Sequence, residues 1–301
     1  MEIELIAEGL DFPEGPVAMA DGSVIVAEIK GRRITRVLAD GTKETLVETG
    51  GGPNGLAIGP DGTLWIADNG GAFSWHDQMG LTIPGPTPPE HEGGSIRRFD
   101  FSSGRIETVY ESIEGRPLIG PNDLVFDSDG GLWFTDHGCT TADGRRYGAL
   151  CYADAGGKAS RQRDGLLAPN GVGLSPDGSI VYVADTWLQR LWAFDVETPG
   201  LLAPPGLAPG RVVANLPDYQ LLDSLAVEDD GRVCVATLVN GGVTAIEPDG
   251  SAEHFPFPDP VCTNICFGGA DMRDAWITAS GTGRLYKARW PRPGLKLAFN
   301  A

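Results

Sequence analysis

The segment PNGLAIGPDGTLWIAD, from Pro53 to Asp68, decides the fold of this 301-residue chain. It contains two short apolar runs, LAI and LWIA, on either side of a Pro-Asp-Gly turn. Two apolar runs joined by a tight turn that contains Asp-Gly are typical of a β-hairpin. The segment therefore predicts two antiparallel strands, with Asn54 at the start of the first strand and Asp68 at the end of the second.

The same pattern occurs six times along the chain. In each copy the second residue is polar. An apolar run, a turn and a second apolar run follow it. The other five copies are PEGPVAMADGSVIVAE from Pro13, PNDLVFDSDGGLWFTD from Pro121, PNGVGLSPDGSIVYVAD from Pro169, LDSLAVEDDGRVCVAT from Leu222 and the degenerate CTNICFGGADMRDAWITAS from Cys262. A repeat of roughly 40 to 50 residues, lengthened where a loop is inserted, is typical of propeller blades.

Further strand-like runs follow each hairpin, such as RITRVLA and ETLVET after the first copy. They bring each unit to four strands. The sequence therefore predicts an all-β protein, a six-bladed β-propeller with four antiparallel strands per blade. The sixth unit ends after its third strand, and we expect the N-terminal strand near Ile3 to Ala7 to complete it and close the ring. Residues 1–301 are interpreted as a single propeller domain.

The composition limits the classes of partner that this protein could bind. A formal net charge of −18 argues against nucleic acid and against an anionic membrane surface. No apolar stretch approaches the roughly 20 residues that span a bilayer, and the acidic N-terminus enters the first repeat at once, unlike a signal peptide. Five cysteines, an odd number, indicate reduced thiols. We expect a cytoplasmic protein that acts on a small molecule; its oligomeric state stays open.

The polar residue that leads each copy predicts a metal site. Equivalent positions of a cyclic repeat meet at the upper mouth of the central channel, and here they supply oxygen almost throughout. The six residues are Glu14, Asn54, Asn122, Asn170, Asp223 and Thr263. Crowded carboxylates raise each other's pKa unless a cation lies between them. Carboxylate and amide oxygens favour a hard divalent ion, with calcium preferred, magnesium or manganese next, and zinc or iron as alternatives. No other cofactor is expected.

The longest insertion runs from Gly70 to Gly94, after the second strand of the second unit. Loops of this length are usually functional or disordered. A loop after a second strand lies on the same face as the polar ring, so we expect a lid over the channel mouth. Trp75 and His76 are its candidates for contact with a substrate.

Several motifs together resemble the SMP-30/gluconolactonase family. They are the EGP that starts at Glu14, GPNDLVFDSDGGLWFTD, APNGVGLSPDG and the DSLAV that starts at Asp223. The resemblance covers essentially the whole chain and implies a six-bladed propeller that holds one divalent metal on its axis and hydrolyses a lactone, commonly a sugar lactone. It implies that Glu14, Asn170 and Asp223 are metal ligands, and that Asn122 is a fourth ligand or binds substrate beside the metal.

The resemblance is weaker for the substrate pocket. Gly120 stands where members that act on sugar lactones often have Arg, Cys139 lies near the place of a Glu, and Ser224 replaces a common Gly. The expected activity is that of a carboxylic ester hydrolase, in which the metal polarises the carbonyl and Asp223 takes a proton from water. His137 is a second candidate for proton transfer or substrate contact.

Three other functions remain open at this point. The same metal could polarise a phosphoryl oxygen, which would make the protein a phosphotriesterase or fluorophosphatase. The metal could instead be a structural plug in a non-catalytic propeller that binds a partner, although such a plug needs no lid. A condensation like that of strictosidine synthase is the least favoured, because those relatives lack this set of metal ligands.

Overall fold

The computed structural model describes residues 1–299 and confirms the six-bladed propeller. The first strand of each blade contacts the first strand of the next, and the first strand of blade 6 returns to that of blade 1. These six inner strands surround a central channel. In the described residues no helix is long and apolar enough to cross a membrane.

Each blade is one antiparallel sheet, in which the first strand lies at the channel and the later strands follow in order toward the outside. In blade order the strands are Pro13–Ala18, Val24–Glu28, Arg33–Val37 and Lys43–Glu48; Pro53–Ile58, Leu64–Asp68, Ser95–Asp100 and Arg105–Tyr110; Pro121–Phe126, Leu132–Asp136, Gly148–Ala153 and Ala159–Leu166; Pro169–Leu174, Ile180–Asp185, Arg190–Thr198 and Arg211–Asn215; Leu221–Val227, Val233–Leu238, Gly242–Ile246 and Ala252–Pro256; Cys262–Gly268, Asp274–Ala279, Arg284–Arg289 and Ile3–Ala7.

Short strands outside this pattern lie in the loops. Leu201–Leu202 adds to blade 4. Three separate hairpins pair Trp75–Gln78 with Leu81–Pro84, Ser112–Ile113 with Arg116–Pro117, and Cys139–Thr141 with Gly144–Arg146. The first of these hairpins belongs to the long insertion between the second and third strands of blade 2, and the third follows the second strand of blade 3.

The Asp-Gly turns fold as the sequence pattern predicts. Gly62 has a φ of 74°, a left-handed conformation that favours glycine. The carboxylate of Asp61 accepts a hydrogen bond from the backbone N–H of Thr63 at 3.1 Å. An Asp that bonds the backbone two residues on stabilises the turn locally. Asp21 and Asp177 make the same bond in blades 1 and 4.

The N-terminal strand closes the ring, as predicted. Ile3–Ala7 pairs antiparallel with Arg284–Arg289, the third strand of blade 6, and Leu5 lies opposite Tyr286. Blade 6 is therefore built from both ends of the chain. This closure leaves no blade with an incomplete outer edge.

The hydrophobic core is divided among the blade interfaces. Six buried clusters each contain side chains of two neighbouring blades, and the cluster between blades 6 and 1 includes Val26 and Trp276. Each sheet therefore buries both faces against its neighbours. The arrangement fixes the inner strands, and with them the side chains at the channel mouth.

The C-terminal segment closes the lower end of the channel. The N–H of Leu295 donates to the carbonyl of Val227 at 2.8 Å, and the ring of Phe299 meets Phe126 edge-on at 6.0 Å. Above them lies a cavity of about 110 Å³ lined largely by apolar side chains, with Asp123 and Asn264 at its upper end. The polar mouth at the other end is therefore the open side of the channel.

Candidate active site

All six leading polar residues are buried at the start of an inner strand. Glu14 is 2% exposed and Asp223 is 8% exposed, with Asn54, Asn122, Asn170 and Thr263 between these values or below them. Buried polar and charged groups are costly unless they find partners. The ring is therefore a feature that the fold maintains against a free-energy cost.

A bulge at the start of each inner strand aims these side chains. In all six blades the pairing of the first and second strands changes register at or beside the leading polar residue, as between Pro53 and Leu56. Bulges of this kind break the regular alternation of side chains and often occur beside active sites. Here the bulges release the leading residues from the sheet pattern.

Glycine after the leading residue lets the inner strands approach closely. A Cβ atom at Gly55 would lie 2.7 Å from the carbonyl oxygen of Asn122, and one at Gly15 would lie 2.3 Å from that of Asn54. These distances leave no room for a side chain. The Asn-Gly and Glu-Gly steps in the repeat therefore serve a narrow channel at this level.

The residue after Asn122 is not the glycine found in blades 1, 2 and 4, and it was not predicted as part of the site. Asp123 is a carboxylate, 7% exposed, and its Oδ2 lies 3.4 Å from the backbone nitrogen of Val172 in blade 4. It faces the channel one step below the ring. The departure from P-N-G to P-N-D in the third copy was the available signal.

The three carboxylates disfavour their own charged forms. Burial raises the pKa of Glu14 to about 7, although hydrogen bonds from Asn264 and Gly15 oppose this. Burial and then the charge of Glu14 raise the pKa of Asp123 to about 7. Burial, followed by the charge of Glu14, also raises the pKa of Asp223. A cation among these groups would remove the cause of the repulsion.

Neighbouring polar residues fix two of the predicted ligands. Asn264 Nδ2 donates to Glu14 Oε2 at 2.8 Å, which ties blade 6 to blade 1. Asn170 is held at both ends: its Nδ2 donates to Thr186 at 3.2 Å, and its Oδ1 accepts from Ser224 Oγ at 3.3 Å. Neither Asn264 nor Thr186 leads a repeat, so the sequence pattern predicts no role for them.

Asn122 is the predicted ligand with the least support from neighbours. Its side chain is 4% exposed, and its Oδ1 has no hydrogen-bond partner within residues 1–299. An unpaired buried carbonyl oxygen is what a metal ion or a substrate hydroxyl would complete. Thr263, by contrast, bonds the carbonyl of Pro13 and Thr278 Oγ1, so it joins blades instead of facing a ligand.

His137 lies between the blade 3 and blade 4 ligands. Its backbone N–H donates to the carbonyl of Gly120 at 2.9 Å. Its imidazole ring bonds the backbone of Pro169, which precedes Asn170. Burial and then Arg145 lower the pKa of His137 to about 3, so the ring is neutral. Its Nδ1 has no partner among the described residues. These properties favour substrate contact over proton transfer.

The insertion from Gly70 to Gly94, here called the strap, lies on the face of the propeller that carries the polar ring. Trp75 packs on Phe12, two residues before Glu14, with 4.9 Å between ring centroids. The N–H of Thr82 donates to Gly281 of blade 6, and that of Thr87 donates to Thr140 of blade 3. The strap therefore spans from blade 2 to blades 6 and 3.

The strap separates its two predicted contact residues. Trp75 is half-buried against the propeller, whereas His76 is exposed and its ring lies against Gly85 of the strap itself. Alternate residues of a strand point to opposite faces, which explains the difference. Among the described residues, no hydrogen bond joins the side chain of His76 to the six leading polar residues.

The donor set fits a hard divalent cation. Within residues 1–299 no three His, Cys, Asp or Glu side chains are grouped as a metal site by themselves, so amide oxygens would have to take part. Asn122 Oδ1 is unpaired, Asn170 Oδ1 is held in place, and the pKa values of the carboxylates are raised by their proximity and burial. Oxygen donors of this kind suit calcium, magnesium or manganese.

Comparison with known families agrees with the fold. Residues 12–281 match the family model described as the SMP-30/Gluconolactonase/LRE-like region. The chain belongs to this family. The match includes Glu14, Asn122, Asn170 and Asp223.

Two curated relatives of this SMP-30/gluconolactonase-like chain are named as lactonases. The gluconolactonase of Zymomonas mobilis is 24% identical over 298 residues, which cover 88% of this chain and 76% of that protein. The pentonolactonase XacC of Haloferax volcanii is 27% identical over 197 residues, which cover 62% of this chain and 64% of that protein. The chain thus spans less than two thirds of the second relative.

A solved structure extends the likeness. The gluconolactonase of Xanthomonas campestris superposes with a TM-score of 0.76 at 25% sequence identity, over 96% of this chain and 89% of that one. The two proteins share the propeller along nearly their whole length.

Proposed function

We propose that this protein is a metal-dependent lactonase that opens a small lactone to its hydroxy acid. The observation that carries the proposal is the buried mouth, where Glu14, Asp123 and Asp223 repel one another beside the unpaired oxygen of Asn122. Family membership and the named activities of two relatives support the choice of a lactone as substrate.

Glu14, Asn170 and Asp223 would hold the metal, with Asn122 as a fourth ligand or a substrate contact. A bound divalent cation would polarise the lactone carbonyl and offset the negative charge of the mouth. Asn264 and the N–H of Gly15 hold Glu14 Oε2 at 2.8 Å each, so this ligand is oriented before any metal binds. Side chains that are already oriented lose less conformational entropy when the metal binds.

Asp223 is the proposed base. Water adds to the acyl carbon, Asp223 accepts a proton from that water, the ring C–O bond breaks, and the alkoxide oxygen receives the proton. Asp223 is buried at the channel mouth beside the other proposed ligands, so it would lie next to a substrate held there. A carboxylate that binds a metal through one oxygen keeps a second oxygen that can accept a proton. Neutral His137 would accept a hydrogen bond from the substrate through Nδ1.

Release of acid from five- and six-membered lactones in a pH-stat tests this proposal. The purified protein is assayed as isolated, after chelation, and after calcium or manganese is restored, against blanks without enzyme. We expect chelation to abolish turnover and metal to restore it. Turnover of every lactone that persists through chelation would refute metal dependence.

Two variants test the assignment of Asp223. Asp223→Asn should lower kcat by about 100-fold or more, the usual range for a general base. Asn240→Ala, an exposed change on the same face, should leave kcat unchanged. A tightly held metal without turnover of lactones or phosphotriesters would favour the binding propeller, and turnover of phosphotriesters alone would replace the lactone as substrate.

A further inference from the structure

Blade 2 contributes a buried amide side chain that is not among the proposed metal ligands. Asn54 leads the inner strand of blade 2 and is 3% exposed, yet its Oδ1 has no hydrogen-bond partner in residues 1–299. The equivalent Thr263 of blade 6 bonds across a blade interface. Asn54 thus has the burial of a structural residue without the hydrogen bond of one.

A second unpaired amide group lies nearby on the same blade. Asn69 directly follows the second strand of blade 2, and its N–H donates to the carbonyl of Gly52, two residues before Asn54. Its Oδ1 accepts from the N–H groups of Gly71 and Ala72 at 2.9 and 3.0 Å. Its Nδ2 is buried and has no partner in the described part of the chain.

Two of the three carboxylates lie toward blades other than blade 2. Glu14 Oε2 is bonded to Asn264 of blade 6, and Asp223 belongs to blade 5. Asp123 lies between blades, with Oδ2 3.4 Å from the backbone nitrogen of Val172 and Oδ1 close to Gly55. Glu14 and Asp223 would draw a cation toward blades 5 and 6, which leaves Asn54 and Asn69 for the substrate at the start of the strap.

The two unpaired atoms have complementary chemistry. Asn54 Oδ1 is an acceptor and Asn69 Nδ2 is a donor, and each destabilises the fold while it is buried without a partner. A hydroxyl group both donates and accepts, so hydroxyl groups can satisfy both atoms. An apolar substituent could satisfy neither.

We propose that Asn54 and Asn69 form a hydroxyl-binding subsite on blade 2, which selects lactones with hydroxyl groups on or beside the ring. This inference rests on the proposed lactonase function. Asn54 accepts a hydrogen bond from the substrate, and Asn69 donates one. Asn69 also caps the start of the strap through Oδ1, so the strap and the subsite are built on one residue.

The test compares gluconolactone with δ-valerolactone, which has the same six-membered ring without hydroxyl groups. Asn54→Ala removes the acceptor. Asn69→Asp removes the donor but keeps an oxygen to cap Gly71 and Ala72, and Asn240→Ala is the matched control. We expect the first two variants to lower kcat/KM for gluconolactone by about 3- to 10-fold, mainly through KM. Their kcat/KM for δ-valerolactone should stay within about twofold, the change left when no hydrogen bond is lost.

Calcium affinity, measured by titration calorimetry, separates this role from metal binding. Asn54→Ala should leave the calcium Kd unchanged. An equal loss with both lactones, no loss with either, or a weakened calcium Kd would each overturn the subsite.

A wild-type protein that turned over neither lactone would refute the proposed function instead. Binding of gluconate, measured by calorimetry, then decides on the subsite. Binding to the wild type that weakens in Asn54→Ala would support the subsite, and equal or absent binding would overturn it.

Discussion

Asp123 gives the sharpest prediction, because its effect on stability should reverse when metal is bound. The pKa of this carboxyl is raised from 3.8 to about 7, first by burial and then by Glu14. Each tenfold change in an equilibrium is about 1.4 kcal/mol, so a charged Asp123 costs the metal-free fold about 4 kcal/mol at pH 8. Asp123→Asn should remove most of this cost.

The pH dependence follows from the sign of the shift. Because the folded pKa lies above the unfolded one, the folded state binds more protons between about pH 4 and pH 7. The stability of the metal-free protein should therefore fall as the pH rises through this range and then level off. Asp123→Asn should match the wild type near pH 4 and be more stable by up to about 4 kcal/mol at pH 8.

Urea unfolding with chelator and with saturating calcium, at pH 5 and pH 8, measures both effects. With calcium the charge of Asp123 becomes favourable, so the variant should gain less stability from the ion than the wild type does. Asp129→Asn, in the exposed hairpin of the same blade, controls for loss of a charge alone. A variant destabilised equally at both pH values, or one with the full calcium effect, would refute the reasoning.

Three further predictions concern residues that support the site and the strand that closes the propeller. Ser224→Ala frees Asn170 Oδ1 from its 3.3 Å hydrogen bond and should weaken calcium binding by about 10- to 100-fold in calorimetry; an unchanged Kd would contradict this. Glu228→Ala removes the buried acceptor of Trp290 Nε1 and Arg292, and should lower the free energy of unfolding by about 3 kcal/mol in urea. Deletion of residues 1–7 opens blade 6 and should lower the thermal midpoint by more than Glu228→Ala does; an equal midpoint would place ring closure elsewhere.

The sequence carried the architecture because the repeat is local. An Asp-Gly turn between two apolar runs requires only a few neighbouring residues, so hairpins such as the one at Asp61 could be located without a structure. Closure by Ile3–Ala7 followed from counting strands in blade 6. The position of the polar ring followed from the same repeat, since each leading residue has the same offset from its turn.

The features that the repeat does not contain were harder to predict. Asn264 and Ser224 act across blade interfaces, on Glu14 and Asn170 respectively, and a contact between distant segments leaves no mark in either copy. The opposite orientations of Trp75 and His76 depend on how the strap lies on the propeller. Asp123 could have been found, because it is the one carboxylate at a position where Gly15, Gly55 and Gly171 occur in other blades.

The sealed lower end of the channel explains why the charge at the mouth is so costly. Leu295 and Phe299 close that end, and the wall above them is largely apolar, so the channel offers the carboxylates little polar surface from below. Burial is the largest cause of the raised pKa of Glu14, Asp123 and Asp223 alike. A cation that enters from the mouth would therefore relieve the repulsion among three carboxylates, and this relief would make its binding more favourable. In this way the tail at one end of the propeller would contribute to the affinity of the proposed metal site at the other.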